Sequence, residues 1–169
     1  ATYERTLVAD QTPYDLGTMT QNQAAGHDLL LNHTVCFNCH VPPLFTDNEY
    51  YNIGLRPAAE DIGRMAVTND PNDNGRFKTP TLRNVAVTGP YMHNGVFKDL
   101  RTVVLFYNRY NTKNPERLIN PETGKPFADP QVPDTLSVTE LTHGPALDDD
   151  RIDALVAFLK TLTDRKFTA

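Results

Sequence analysis

Two cysteines and a histidine lie close together in the chain and could hold a metal-containing group. Cys36 and Cys39 are the two cysteines of the sequence, and His40 follows the second directly in the stretch VCFNCHVPP. The spacing C-x-x-C-H is the attachment signature of c-type haem, because each thiol can add across a vinyl group while the adjacent imidazole reaches the iron. The motif therefore predicts one covalent haem c, with Cys36 and Cys39 as thioethers and His40 as the proximal iron ligand.

Three other interpretations of the motif stay open at this stage. A structural zinc site normally needs four ligands, and without a second cysteine pair remote histidines would have to complete it. A redox-active dithiol is expected at a strand-to-helix turn, whereas here a predicted helix precedes the motif and Pro42 and Pro43 follow it. A simple disulfide gives no reason for His40. Haem is the interpretation that uses all three residues.

Three predicted helices would position these residues. The first begins near Thr20, where Thr20 and Gln23 match a capping box, and it runs into the cysteine motif. The second has Asp99 as its N-cap, and the third follows the acidic run LDDD, which suits the positive end of a helix. The apolar face of the second helix consists of Leu100, Val103, Val104, Tyr107 and Tyr110. That of the third consists of Ile152, Leu155, Val156, Leu159 and Leu162.

These helices predict an all-α fold, mostly helical with long loops. The longest connection, residues 111–146, shows no sustained periodicity. Connections of this length are uncommon in compact domains and are usually functional or mobile.

The charge balance argues against several partners. The 169 residues include 16 basic and 21 acidic side chains, a formal net charge of −5, with no long run of either sign. Capture of nucleic acid or of an anionic membrane is therefore not expected. No apolar stretch reaches the roughly 20 residues of a membrane span. Since bacteria attach haem to this motif outside the cytosol, we expect a periplasmic setting, with any export signal already removed.

Beyond the motif, the sequence resembles a known family. The stretches FTDNEYYNIGL, DIGRMAVTND and GRFKTPTLRNVAVTGPYMHNGVFKDLRTVVLFYNRY, with LVAFLKTLT near the end, closely resemble the carboxy-terminal haem domain of the bacterial di-haem cytochrome c peroxidase and MauG family. The block from Phe77 to Asn108 is the most specific part. The opening YERTLV resembles the end of the family's first domain. The resemblance implies a cytochrome c-like fold for residues 20–169, and residues 1–19 would be an amino-terminal extension from a missing first domain.

The same resemblance has functional implications. In this family one haem reacts with peroxide and the carboxy-terminal haem passes electrons, whereas this chain has one C-x-x-C-H motif. It resembles a mono-haem electron-transfer module, and whether it is an enzyme by itself stays open. The alternative is a part of a haem peroxidase or MauG-like oxidoreductase whose peroxidatic haem lies on a missing segment or partner chain. The implied partner is that domain or another redox protein.

The distal iron ligand has several candidates. Met92 is the first choice by residue type, because a thioether is a common sixth ligand of cytochromes c, although a methionine in an apolar block is more often packing. The resemblance favours Tyr107, which occupies the position from which the family's methionine or tyrosine binds the iron. Met92 then becomes a neighbour of the haem. His93 or an open site are further alternatives.

Weaker predictions concern the surroundings of the haem. Arg83 is expected to pair with a haem propionate or to be an exposed structural arginine. His93 is expected near the haem. The resemblance implies a calcium ion bound by the backbone carbonyls of Thr88 and Pro90, with its remaining protein ligand on the missing domain.

Overall fold

Helices make up most of the regular structure in residues 9–55 and 61–168, which are the residues that the computed structural model describes. The helices are α1 (Gln21–Asn32), α2 (Met65–Thr68), α3 (Leu100–Asn108), α4 (Val138–Leu141) and α5 (Asp149–Lys160). Short strands β1 (Tyr50–Tyr51) and β2 (Phe77–Lys78) pair antiparallel, as do β3 (Ile119–Asn120) and β4 (Lys125–Pro126). Single 3₁₀ turns lie at Val35–Asn38, Pro71–Asp73, Val85–Val87, Pro115–Leu118, Pro133–Thr135 and Arg165–Phe167. The chain is thus mainly helical, as predicted, but not purely so, because it contains these strand pairs.

The three predicted helices are confirmed, with their caps. At the start of α1, Gln23 N donates to Thr20 Oγ1 at 3.4 Å and Thr20 N donates to Gln23 Oε1 at 2.8 Å. Asp99 caps α3 by accepting from Arg101 N at 2.6 Å. Asp148 caps α5 by accepting from the amide of Arg151 at 3.0 Å. These caps satisfy backbone donors that a helix leaves free in its first turn, so they fix where each helix begins.

Helices α1 and α5 cross at very close range. A Cβ added to Gly26 in α1 would lie 1.9 Å from the carbonyl oxygen of Ala154 in α5, so only glycine fits at this crossing. Helix α3 packs against the core beside α5. The buried core side chains include Leu30, Phe45, Leu100, Val104, Ile152, Leu155, Phe158 and Leu159. The three helices therefore share one apolar core.

The connection between α3 and α5 contains short elements and is hydrogen-bonded to residues at the end of α3 and just after it. It includes β3, β4 and α4, which explains why no single period was visible in its sequence. Asn108 donates to Leu147 O at 3.1 Å and accepts from Leu147 N at 2.8 Å. Asn111 donates to Leu141 O and accepts from Gly144 N, both at 3.1 Å. The end of α3 thus anchors the segment that follows.

The described part of the amino-terminal extension packs on the end of α5. Gln11 N donates to the Asp164 carboxylate at 3.2 Å, and Tyr14 N donates to Thr161 O at 3.3 Å. The YERTLV stretch lies outside the described residues, so the division at residue 19 stays a prediction. None of the helices in the described part of the chain has the length and apolar character that crossing a membrane requires.

Candidate haem site

The cysteine motif forms a tight turn directly after α1. The Thr34 hydroxyl accepts from Cys36 N at 3.3 Å and starts the 3₁₀ turn Val35–Asn38. The Cys36 carbonyl then accepts from the amides of Cys39 at 3.3 Å and His40 at 2.9 Å. This turn directs Cys36, Cys39 and His40 into one cavity.

The cavity has a volume of about 400 Å³ and lies between the motif, α3 and α5. Its lining is mostly apolar and includes Leu30, Leu55, Leu82, Leu100, Val104 and Leu155. Volumes of a few hundred Å³ with apolar walls and a few polar groups are typical of cofactor and ligand sites. The cavity thus has the character that a porphyrin requires.

A backbone hydrogen bond orients His40. Its Nδ1 lies 2.9 Å from the carbonyl oxygen of Phe45, and because that oxygen can only accept, Nδ1 carries the proton. Nε2 is then the nitrogen with a free lone pair, as a metal ligand requires. Burial lowers the pKa of His40, which keeps the imidazole neutral at pH 7. His40 therefore has the tautomer that a metal-binding histidine needs, with Nε2 unprotonated.

Both thiols of the motif are free, so the two cysteines are not joined in a disulfide. Burial raises the pKa of Cys36, and burial together with the carboxylates of Asp47 and Glu140 raises the pKa of Cys39 to about 12. Redox-active dithiols depend on a lowered thiol pKa, so this environment disfavours a dithiol site. Within the described residues, no group of three or more His, Cys, Asp or Glu side chains could hold a metal ion. The zinc interpretation therefore lacks a ligand set there, and the residues fit a covalent haem.

Tyr107 reaches the same cavity from α3. Burial, and then the nearby thiols of Cys36 and Cys39, raise the pKa of its phenol. Its ring meets Phe106 edge-on, with 5.5 Å between the ring centroids. The structure thus brings Tyr107 together with the motif residues, from a different element of the fold.

Met92 and His93 line the cavity as well. Met92 has a left-handed backbone, with φ 69°, and like Tyr107 it packs against the apolar cluster of Leu55, Phe97 and Phe106. The His93 ring stacks on Phe77, with 3.5 Å between centroids and 7° between planes. Both residues lie beside the predicted haem position, and the choice of distal ligand stays a prediction.

The predicted calcium ligands Thr88 and Pro90 are exposed residues of the cavity wall. The Thr88 hydroxyl donates to the carbonyl of Val85 at 3.2 Å. Backbone carbonyls suit calcium, but they form a complete site only with further oxygen ligands. Calcium binding by these two residues stays a prediction.

Arg83 lies outside the cavity lining. Its guanidinium donates to the carbonyl oxygens of Pro43 and Ala9 and pairs with the Asp15 carboxylate. These hydrogen bonds engage donors on two edges of the planar guanidinium group. Pairing of Arg83 with a haem propionate stays a prediction, and the guanidinium already donates to these protein oxygens.

Two features near the motif were missed in the sequence. The acceptor for His40 is a backbone carbonyl, and since any residue at position 45 would supply one, no sequence signal could identify it. Tyr51 lines the cavity and donates to the Asp47 carboxylate at 2.7 Å. The pairing of β1 with β2 fixes its position, and strands of two residues give no periodic signal in the sequence.

Comparison with known proteins identifies the family. No family model matches the sequence. The methylamine utilization protein MauG of Paracoccus denitrificans is 56% identical over 138 residues, covering 73% of this chain and 35% of MauG. A MauG-like protein associated with microbial copper homeostasis superposes with a TM-score of 0.78 at 26% identity, covering 99% of this chain and 56% of that one. The di-haem peroxidase BthA of Burkholderia thailandensis superposes with a TM-score of 0.74 at 28% identity, covering 96% and 48% respectively. The chain belongs to the MauG and di-haem peroxidase family.

The family predicted from the sequence is thus confirmed. The chain spans 35% of the length of P. denitrificans MauG and 48% of the length of BthA, so it corresponds to one part of a MauG-type protein.

Proposed function

We propose that this chain is a mono-haem c-type cytochrome module that transfers electrons and corresponds to the second, carboxy-terminal haem domain of the MauG and di-haem peroxidase family. Cys36 and Cys39 would hold the haem by thioethers, His40 would bind the iron through Nε2, and Tyr107 would be the distal ligand. The observation that carries the proposal is that all four residues line the same apolar cavity.

The protein's contribution is attachment, ligation and shielding from water. The haem supplies one-electron chemistry, and the protein controls it through the axial ligands, their hydrogen bonds and burial. Because the Phe45 carbonyl holds His40 and Tyr107 lies on α3, these two side chains would need to move little when a bound haem changes its oxidation state. An anionic phenolate favours ferric iron, so the haem would have a lower potential than one with a methionine ligand.

A second candidate function is a part in a haem peroxidase or MauG-like oxidoreductase. The observation that favours it is the partial coverage of BthA, a di-haem peroxidase, by this chain. In that case the partner is a peroxidatic haem domain on another segment or chain. Otherwise it is a separate redox protein. In both cases we propose a periplasmic location, because the C-x-x-C-H motif is loaded with haem outside the cytosol.

Haem attachment can be tested directly. The chain should be produced with a periplasmic cytochrome c maturation system, and the pyridine haemochrome spectrum should be recorded after denaturation. We expect the spectrum of haem with both vinyl groups converted to thioethers, at one haem per chain. Loss of the pigment on acid–acetone extraction would contradict covalent attachment. A double variant, Cys36→Ala with Cys39→Ala, is the matched control.

Peroxide turnover separates the two candidate functions. The reduced holoprotein should be mixed with hydrogen peroxide and an electron donor, with no second haem protein present. We expect at most slow, non-sustained oxidation. Sustained turnover would overturn the electron-carrier proposal and would show that this haem alone reduces peroxide.

A further inference from the structure

The backbone carbonyls of residues 43–45 follow the motif, and each accepts a hydrogen bond from a side chain. The Phe45 carbonyl accepts from His40 Nδ1 at 2.9 Å. The Leu44 carbonyl accepts from the Thr81 hydroxyl at 2.5 Å. The Pro43 carbonyl accepts from two atoms of Arg83, Nε at 3.0 Å and Nη2 at 2.8 Å. The loop that orients His40 is thus attached to residues 81 and 83 by three hydrogen bonds.

The other edge of Arg83 is fixed as well. Its Nη1 donates to Ala9 O at 2.9 Å and to the carboxylate of Asp15, whose pKa is lowered overall even though burial raises it, because Arg83 and Thr12 donate hydrogen bonds to it. The Arg83 side chain is only 13% exposed, so solvent screens the ion pair weakly. A planar group bound on both edges has little freedom to rotate. Arg83 is therefore a rigid support for the Pro43 carbonyl.

We propose that Arg83 is a positioning residue for the axial ligand His40. It fixes the loop of residues 43–45, and this loop sets the distance and direction of the hydrogen bond from His40 Nδ1 to the Phe45 carbonyl. Thr81 helps to fix the same loop through its hydrogen bond to the next carbonyl, that of Leu44. The inference rests on the proposed haem function and gives Arg83 a role that needs no contact with the haem.

The expected effect follows from the chemistry of the imidazole. A hydrogen bond from Nδ1–H makes the opposite nitrogen a stronger electron donor to the metal, and a stronger donor stabilises ferric iron. If the loop loosens, this bond weakens and the reduction potential rises. Pairing with a propionate would have a different signature, because a replacement that keeps the positive charge would leave the potential nearly unchanged.

Two variants test the proposal in the haem-loaded chain. Arg83→Lys keeps the charge but cannot bind the Pro43 carbonyl and Asp15 with one planar group. Thr81→Val is neutral and close to isosteric, and it removes the bond to the Leu44 carbonyl together with the bond that the Thr81 hydroxyl accepts from Arg83 N at 3.1 Å. Arg101→Lys is the control, because Arg101 pairs with Asp149 and Asp153 and does not line the cavity.

The measurements are the reduction potential and the low-temperature electron paramagnetic resonance spectrum of the ferric haem, with thermal unfolding recorded in parallel. We expect an upward shift in potential and altered or heterogeneous g values in Arg83→Lys and Thr81→Val, and neither change in Arg101→Lys. Lower thermal stability with unchanged potential and g values in both test variants would overturn the proposal. If Arg83→Lys does not fold, Thr81→Val decides. A wild-type chain without covalent haem would instead contradict the proposed function itself.

Discussion

Tyr107 and Met92 are the two side chains whose chemistry would most change the haem. Both line the cavity, and both pack against the cluster around Phe97, so burial does not distinguish them. The difference lies in their elements: Tyr107 is held on α3, whereas Met92 lies in a loop with a left-handed backbone. A ligand on a capped helix is held more firmly than one on a loop.

Replacing Tyr107 by Phe should therefore free the sixth coordination position. We expect the ferric absorption spectrum to change from low spin to high spin, and the ferrous form to bind carbon monoxide. The phenyl ring still fills the space, so any loss of stability should come from the lost bond to the iron and not from packing. Absorption spectra of both oxidation states, with and without carbon monoxide, provide the measurement.

Two matched variants complete this experiment. Tyr91→Phe removes another phenol that lines the cavity and should leave the spin state unchanged. Met92→Leu should do the same. A low-spin spectrum in Tyr107→Phe, together with a high-spin one in Met92→Leu, would transfer the distal ligand to Met92.

At the scale of elements, the crossing of α1 and α5 determines how the walls of the cavity meet. Leu30 on α1 and Leu155 on α5 both line the cavity, so a change in the crossing would move two of its walls. Gly26 permits the close approach, since an added Cβ would lie 1.9 Å from Ala154 O and 2.9 Å from Phe158 Cβ. Replacing Gly26 by alanine would therefore have two opposing effects: a higher helix propensity and a steric clash with α5.

Gly26→Ala distinguishes these two effects by sign. Helix propensity alone predicts a gain of about 1 kcal/mol in the free energy of unfolding. Overpacking against the backbone of α5 predicts a loss of about 1–3 kcal/mol or more. We expect the loss, measured by urea unfolding of the holoprotein. Ala25→Gly, at an exposed position of the same helix, is the control and should cost about 1 kcal/mol from propensity alone. A more stable Gly26→Ala protein would contradict the crossing geometry.

The elements also show what the sequence could predict. Helices α1, α3 and α5 were predictable because each combines a capping residue with a periodic apolar stripe, and both are local signals. Strands of two residues, such as β1, are too short to show a period. The contacts of Arg83 with Ala9 and Asp15 join residues 74 and 68 positions apart, so only the fold reveals them. That Cys36, Cys39, His40 and Tyr107 come together was predictable from a motif and a family resemblance, and all four line one cavity. The hydrogen bonds that fix the loop after His40 were not predictable in this way.

For the molecule as a whole, His27 links stability to pH. Its ring lies between those of Tyr14 and Phe158, at centroid distances of 5.3 and 5.0 Å, and its Nε2 is buried without a hydrogen-bond partner. Burial lowers the pKa of His27 below its usual 6.5, although Asp28 opposes the shift. The unfolded chain therefore takes up a proton at higher pH than the folded one, and acid favours unfolding.

We expect the free energy of unfolding to fall as the pH decreases below about 6.5, with a slope of less than about 1.4 kcal/mol per pH unit for one proton. His27→Phe keeps an aromatic ring in place and should flatten this part of the profile. Urea unfolding between pH 5 and pH 8, covering roughly the range over which histidine titrates, gives the measurement. His33→Gln, at an exposed residue paired with Asp28, is the control and should retain the slope. An unchanged slope in His27→Phe would assign the effect to another group.

The largest effect on the whole molecule should come from losing the haem. If this apolar cavity of about 400 Å³ were left empty, the free energy of unfolding would fall by on the order of 10 kcal/mol, from the usual destabilisation per unit of cavity volume. This is an upper value, because the cavity opens to solvent. This is comparable with the total stability of a typical domain. We therefore expect the double variant Cys36→Ala with Cys39→Ala, once freed of haem, to keep helical content but lose fixed packing.

Circular dichroism can test this expectation on the double variant. The far-ultraviolet signal should persist, the near-ultraviolet signal should disappear, and the hydrophobic dye ANS should bind. Cys36→Ala alone retains one thioether and His40, and it should stay folded with its haem. A haem-free double variant that unfolds cooperatively at the urea concentration of the holoprotein would show that the helices pack without the cofactor. The cavity would then be a preformed site and not one that depends on haem.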